Sequence, residues 1–188
     1  MGTDQLTWFN QLPPRAAWQT LLECCSAPGW AEHMTAGRPY SSAEDAIRQS
    51  GAIVAALSAA DLAEALAGHR RIGERPDTSQ ACTSQHSASQ HGTSQPPARA
   101  VDWSSQEQSG VDADDTATTR ALAAANLEYE QRFGHIYLVC ASGRTGQELL
   151  ALLRGRLANK PEDEWQVVRT ELQKINAIRL QRLLAGAR

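Results

Sequence analysis

The sequence predicts an all-α fold: a single helical-bundle domain of about eight helices, with one extended apolar segment and a disordered low-complexity insert. Three observations carry this. Ala (31) and Leu (19) dominate the apolar residues, whereas Val and Ile together number only 12 of 188, a balance that favours helix over sheet. Capping and stop residues recur at helix-length intervals. Between residues 77 and 99 the apolar pattern vanishes.

The first block, 1–76, reads as a series of short helices. Pro13-Pro14 fits a helix start, and Trp18, Leu21, Leu22 and Cys25 follow at helical spacing. A second helix begins near Pro28 and carries Trp30 and Met34. Ser41-Ser42-Ala43-Glu44 caps a third, with Ile47, Ile53, Val54 and Leu57 inside it or facing the core. Ser58 with Asp61 three residues later opens a fourth, which Gly68 ends, and His69 follows at once.

The second block, 100–188, predicts a long helix over about 112–133, with Leu122, Ala125, Leu127 and Tyr129 as buried candidates and Gly134 as its stop. Ile136 to Ala141 form a six-residue apolar stretch of β character, either a buried strand-like segment or an extended connector. A helix after Gly143 carries Leu149, Leu150, Leu152, Leu153 and Leu157. Pro161 opens the last helix, with Trp165, Val168, Leu172, Ile175, Ile178 and Leu183 near 3.6-residue periodicity.

Residues 78–97 are four pentads, TSQAC TSQHS ASQHG TSQPP. From Asp77 to Arg99 there is no Leu, Ile, Val, Phe, Trp or Tyr, so the segment has too little apolar surface to offset its ordering entropy. It is expected to interrupt one domain spanning 1–188. Cys82, His86 and His91 fall at variable places of the repeat and match no metal-site spacing, so no metal is expected.

Composition narrows the function. A net charge of −3 and a pI near 5.9 argue against a generally basic nucleic-acid binder. No apolar run approaches the roughly 20 residues a membrane span needs. The four cysteines include no CxxC and read as free thiols. The N-terminus lacks a secretory pattern and the C-terminal AGAR is no peroxisomal address, so a cytoplasmic setting is expected.

Two residues are candidates for chemistry. His69 lies in GHRRIGERP, where an imidazole able to titrate near neutrality sits among Arg70, Arg71 and Arg75, a grouping suited to an anionic ligand. Glu107 lies in Trp103-Ser104-Ser105-Gln106-Glu107-Gln108, a carboxylate among hydroxyls and amides on an expected short helix.

Taken in order, these and other motifs resemble the 2-oxo-4-hydroxy-4-carboxy-5-ureidoimidazoline (OHCU) decarboxylase family. The likeness rests on FNQLP, on His69 with Ile72-Gly73-Glu74, and on Ser104-x-x-Glu107-Gln108-x-Gly110. It continues through Asn126-x-x-Tyr129-x-x-Arg132-Phe133-Gly134, Gly143-Arg144 and Lys174-Ile-x-x-Ile-Arg179-Leu. The resemblance implies an all-α fold and a cofactor-free decarboxylation in urate degradation that yields S-allantoin. It makes His69 the catalytic acid/base and Glu107 the carboxylate opposite it. Ser104, Ser105, Gln106, Gln108, Tyr137, Leu138, Val139, Cys140, Ala141 and Arg179 then hold the substrate, with Arg70 beside them. The implied partner is a small anionic ureidoimidazoline, with neither nucleic acid nor membrane, and a homodimer is left open.

One position departs from the family. Arg70 stands where the family has proline, which would restrict His69 to extended backbone. A cation there is expected to favour neutral imidazole. Two other readings stay open: a catalytically weak relative that only binds a ureide or purine-derived ligand, and a helical interaction domain whose Ser/Gln repeat is the functional part.

Overall fold

The computed structural model describes residues 5–73 and 116–185. Among them are eight helices and no strand: α1 (Gln5–Gln11), α2 (Pro14–Cys24), α3 (Pro28–Ala36), α4 (Ala43–Ala56), α5 (Ala59–Ala67), α6 (Thr116–Phe133), α7 (Gly146–Arg156) and α8 (Pro161–Ala185). The repeat at 77–99 and the Ser104–Gln108 motif lie outside the described residues.

Local chemistry sets most of the boundaries. Pro14 and Pro28 occupy the first turns of α2 and α3, where a missing N–H costs nothing. Ser42 Oγ accepts the Asp45 N–H at the start of α4, 3.1 Å away. α5 opens on a reciprocal capping box: Ser58 Oγ accepts the Asp61 N–H and the Asp61 carboxylate accepts the Ser58 N–H, both at 3.1 Å. Thr145 and Glu148 repeat the device on α7. Gly134 ends α6 at φ +75°, a left-handed conformation that suits glycine, and its N–H reaches the Glu130 carbonyl.

α1 has no counterpart among the expected elements. It is held from outside: Arg38 Nη1 donates to the Phe9 and Leu12 carbonyls, 2.8 Å each, at its C-terminal end. Asn10 and the Tyr40 backbone exchange two hydrogen bonds of 2.9 Å. The Phe-Asn motif near the N-terminus is therefore a packing device, with Phe9 fully buried.

Two cores result. The larger lies among α1–α5 and α8 and includes Leu21, Trp30, Met34, Val54, Leu62, Leu172 and Leu180. The smaller gathers Ile72, Leu122, Tyr129, Leu149 and Leu153 between α6 and α7. On α6 the buried set is Thr118, Leu122, Ala125, Asn126 and Tyr129, whereas Leu127 is 58% exposed, against expectation. Spacing explains it: 125, 126 and 129 follow 122 at i+3, i+4 and i+7, and 127 falls about 140° around the helix from Leu122. The apolar stretch 136–141 is an extended connector that pairs with no strand, and it runs between the two cores. α8, at 25 residues about 37 Å long, packs against α4 on one side and α1 and α2 on others. No single helix among the described residues is long and apolar enough to cross a membrane.

Candidate functional site

His69 follows directly on α5. Its N–H bonds the Leu66 carbonyl at 3.0 Å, and its Nδ1 lies 2.8 Å from the Ala65 carbonyl. A carbonyl only accepts, so Nδ1 carries the proton and Nε2 keeps a lone pair. Arg179 Nη1, from α8, stands 3.4 Å from that Nε2 and donates to the Cys24 carbonyl at 2.9 Å. Arg179 is 1% exposed. Burial first, and the Arg179 guanidinium second, push the His69 pKa down to about 4, against the smaller opposing effect of the Ala65 bond. The imidazole is thus neutral at pH 7, a base whose conjugate acid surrenders its proton readily.

The cation responsible is Arg179 and not Arg70, contrary to expectation. Sequence adjacency put Arg70 beside the imidazole, but successive side chains need not share a direction, whereas α8 delivers Arg179 from across the fold. Arg70 itself is partly buried beside His69 in the chain.

Gly68 is required for a reason other than the expected one. It closes α5 at φ −83°, in the ordinary right-handed region. A β-carbon there would lie 1.8 Å from Ser26 Oγ and 2.5 Å from Ser26 Cβ. The end of α5 therefore presses on the loop that follows Cys24, the residue that holds Arg179. Downstream of His69, Asn126 Nδ2 donates to the Ile72 carbonyl at 2.9 Å, and Glu130 grips Arg71 with both oxygens at 2.6 and 2.9 Å. Three elements thus fix the imidazole: α5 before it, α6 after it, and α8 across from it.

The 137–141 segment is held separately. The side chains of Tyr137, Leu138, Val139 and Ala141 are buried, and that of Cys140 is partly so. These side chains mostly fill the cores, so what the segment offers a ligand is mainly backbone. Part of that is already taken: the Cys140 N–H donates to Glu171 Oε2 at 2.8 Å, and the Leu138 carbonyl accepts from Arg156 Nη1 at 2.7 Å. Arg156 belongs to a buried cluster with Glu164 and Tyr129, whose hydroxyl donates to Glu164 in a short bond. Burial and the neighbouring Glu164 carboxylate raise the Tyr129 pKa, so the phenol stays protonated and donates.

The structure therefore brings His69 and Arg179 together from positions 110 residues apart. Glu171, which holds the 137–141 segment, stands on the same helix as Arg179, about 12 Å along its axis by residue count. Ser104, Ser105, Gln106, Glu107 and Gln108 lie outside the described residues. Arg156, Glu164 and Glu171 went unnoticed in the sequence because charged residues on helices ordinarily face solvent. The Thr145-x-x-Glu148 capping signal was legible and marks where α7 begins. No group of three or more metal-ligating side chains occurs among the described residues.

Comparison with known proteins bears on the family and the fold. The chain is 29% identical over 163 residues to the uric acid degradation bifunctional protein TTL of Arabidopsis thaliana, covering 86% of this chain and 45% of that protein. It is 33% identical over 79 residues to a 2-oxo-4-hydroxy-4-carboxy-5-ureidoimidazoline decarboxylase of Amia calva, covering 42% of this chain and 45% of that one. The chain thus spans less than half the length of these curated relatives. Its fold matches a crystal structure of OHCU decarboxylase in the presence of (S)-allantoin, with a TM-score of 0.69 at 24% identity, covering 89% of this chain and 99% of that one. The sequence model of the OHCU decarboxylase family matches residues 10–181, nearly the whole length, and the chain belongs to that family.

Proposed function

We propose that this protein decarboxylates 2-oxo-4-hydroxy-4-carboxy-5-ureidoimidazoline to S-allantoin, with His69 as acid/base and Arg179 as the anchor for substrate anion. The observation that carries the reading is the pairing of a neutral imidazole with a buried guanidinium, in a chain matched by the family over 10–181.

The chemistry follows from those two groups. In the reaction the bond between the ring carbon and its carboxylate breaks, CO₂ leaves, and the electron pair passes into the electron-withdrawing ring. As the hydroxyl proton leaves, that carbon becomes a carbonyl, and the neighbouring ureido-bearing carbon takes a proton on one face. Nε2 of His69, with Nδ1–H held on Ala65, removes the substrate hydroxyl proton. A substrate anion bound beside Arg179 offsets the guanidinium field, so the imidazole becomes more basic once substrate binds. A protonated His69 is then placed to return the proton to one face, which gives a single enantiomer.

The remaining roles come from the resemblance. Glu107 opposes the substrate carboxylate and accepts ureido N–H groups, while Ser104, Ser105, Gln106 and Gln108 complete the pocket wall, with Arg70 near its edge. Backbone donors of Tyr137 to Ala141 meet the ring carbonyls as charge develops. The chain works as one domain into which the 77–99 repeat is inserted, in a cytoplasmic setting. The test is direct: fresh substrate is added to purified protein, the loss of its ultraviolet absorbance is followed, and allantoin is resolved on a chiral column. Faster decay with excess S product supports the proposal. Decay at the uncatalysed rate with racemic product rejects it, and binding without turnover would make the protein a ureide-binding relative.

A further inference from the structure

Along 136–141 the side chains divide by parity. Ile136, Leu138 and Cys140 pack on the larger core, and Tyr137, Val139 and Ala141 belong to the smaller one. That alternation is the period of two of an extended chain. In such a chain the N–H and C=O groups also alternate, so residues 138 and 140 present theirs to one edge and residues 139 and 141 to the other. The even edge is occupied by two charged side chains in place of a neighbouring strand: Arg156 on the Leu138 carbonyl and Glu171 on the Cys140 N–H. On the odd edge, the N–H groups of Val139 and Ala141 receive no acceptor among the described residues.

We propose that Glu171 is a positioning residue for ligand recognition: by holding the Cys140 N–H on one edge of the segment, it aims the Val139 and Ala141 N–H donors on the other edge at the carbonyl oxygens of a planar cyclic ureide. This rests on the reading that the segment borders the substrate site. Glu171 is 7% exposed, and its second oxygen pairs at 2.7 Å with Lys174, whose half-exposed ammonium is screened by solvent. Arg179 lies on the same helix, so one rigid element sets both the donor edge and the anion anchor. Two donors two residues apart on one edge are spaced by roughly 7 Å, the repeat of an extended chain, and so meet two separate carbonyls.

The experiment compares wild type, Glu171→Gln, Glu171→Asp, Glu171→Leu and Lys174→Met for turnover and for binding of (S)-allantoin by calorimetry. Glu171→Gln keeps an acceptor for the Cys140 N–H and should stay within about threefold of wild type in both. Glu171→Asp keeps the charge but withdraws it by one methylene, and should lose tenfold or more in allantoin affinity and in kcat/KM, as should Glu171→Leu if folded. The acid limb of the pH profile, set at His69, should not move. Lys174→Met should change affinity by less than threefold. A folded Glu171→Asp with wild-type affinity overturns the proposal, as does a Glu171→Gln as impaired as Glu171→Asp. If wild type binds allantoin without turnover, the decarboxylase reading fails while the variants still judge Glu171. If wild type does neither, both fall.

Discussion

Gly68→Ala separates a local expectation from a tertiary one. Gly68 sits at φ −83° and ψ 0°, a conformation alanine adopts freely. Judged locally, the substitution reduces the entropy of the unfolded chain and stabilises by about 0.4–1 kcal/mol. The structure reverses the sign. The added methyl would stand 2.5 Å from Ser26 Cβ, where ordinary carbon contacts need about 3.5–4.0 Å. Ser26 Oγ, at 1.8 Å, can rotate away, but Cβ is fixed to the backbone, so the end of α5 and the loop after Cys24 must part by about 1 Å. Overpacking of this kind costs about 1–3 kcal/mol, which outweighs the entropic gain and leaves a net loss of ~1–2 kcal/mol. For a chain of this size that lowers the melting temperature by about 2–8 °C. The same movement separates His69, one residue from Gly68, from Arg179, which is tied to the Cys24 carbonyl on the other side of the gap. A misplacement of about 1 Å can cost about 100-fold in rate. Thermal melts by circular dichroism and the decarboxylation assay measure both effects. Ser26→Gly removes both clashing atoms, so the double variant should recover most of the lost rate and stability. A Gly68→Ala protein that melts higher than wild type with unchanged kcat would refute the close approach and the mechanism built on it.

Three further expectations concern the site. His69→Asn should keep the melting temperature near that of wild type while kcat falls about 10²–10⁴-fold; turnover within threefold of wild type would remove His69 from the chemistry. The His69 pKa is depressed to about 4, so the active neutral form persists well below neutrality and kcat/KM should fall only as pH approaches 4. The unfolded chain takes up that proton near its ordinary value of 6.5, so His69 should make folding stability decline as pH drops from 6.5 to 4, by no more than ~1.4 kcal/mol per unit, and His69→Asn should remove that share of the slope. Arg179→Met should move the acid limb to higher pH by the guanidinium's share only, since burial is the larger cause, while raising KM for the anionic substrate. Arg70→Pro should leave the acid limb where it is, because Arg70 is not among the groups that depress the imidazole; a shift toward higher pH would restore Arg70 as its electrostatic neighbour.

What the sequence by itself determined is the part of this protein written in near-neighbour interactions. Ser42, Ser58 with Asp61, Pro14, Pro28 and Gly134 act on backbone groups within four residues, so the helix starts and stops they mark can be read directly. The order of motifs placed His69 and Arg179 in one family pattern, but not why they meet. That was decided by tertiary packing: Arg179 reaches Cys24 across 155 residues and His69 across 110. The same packing turned Gly68 from a helix stop into a point of close contact, and assigned the imidazole's cation to Arg179 in place of its neighbour Arg70. It also buried Arg156, Glu164 and Glu171, residues whose type predicts solvent, because each finds a charged partner, Arg156 and Glu171 each find a backbone group, and Glu164 accepts from Tyr129 and Asn159. Helix-forming signals depend on i to i+4 and survive in the linear chain. The chemistry depends on hydrogen bonds between segments more than 100 residues apart, which exist only once two cores have closed around the segment between them.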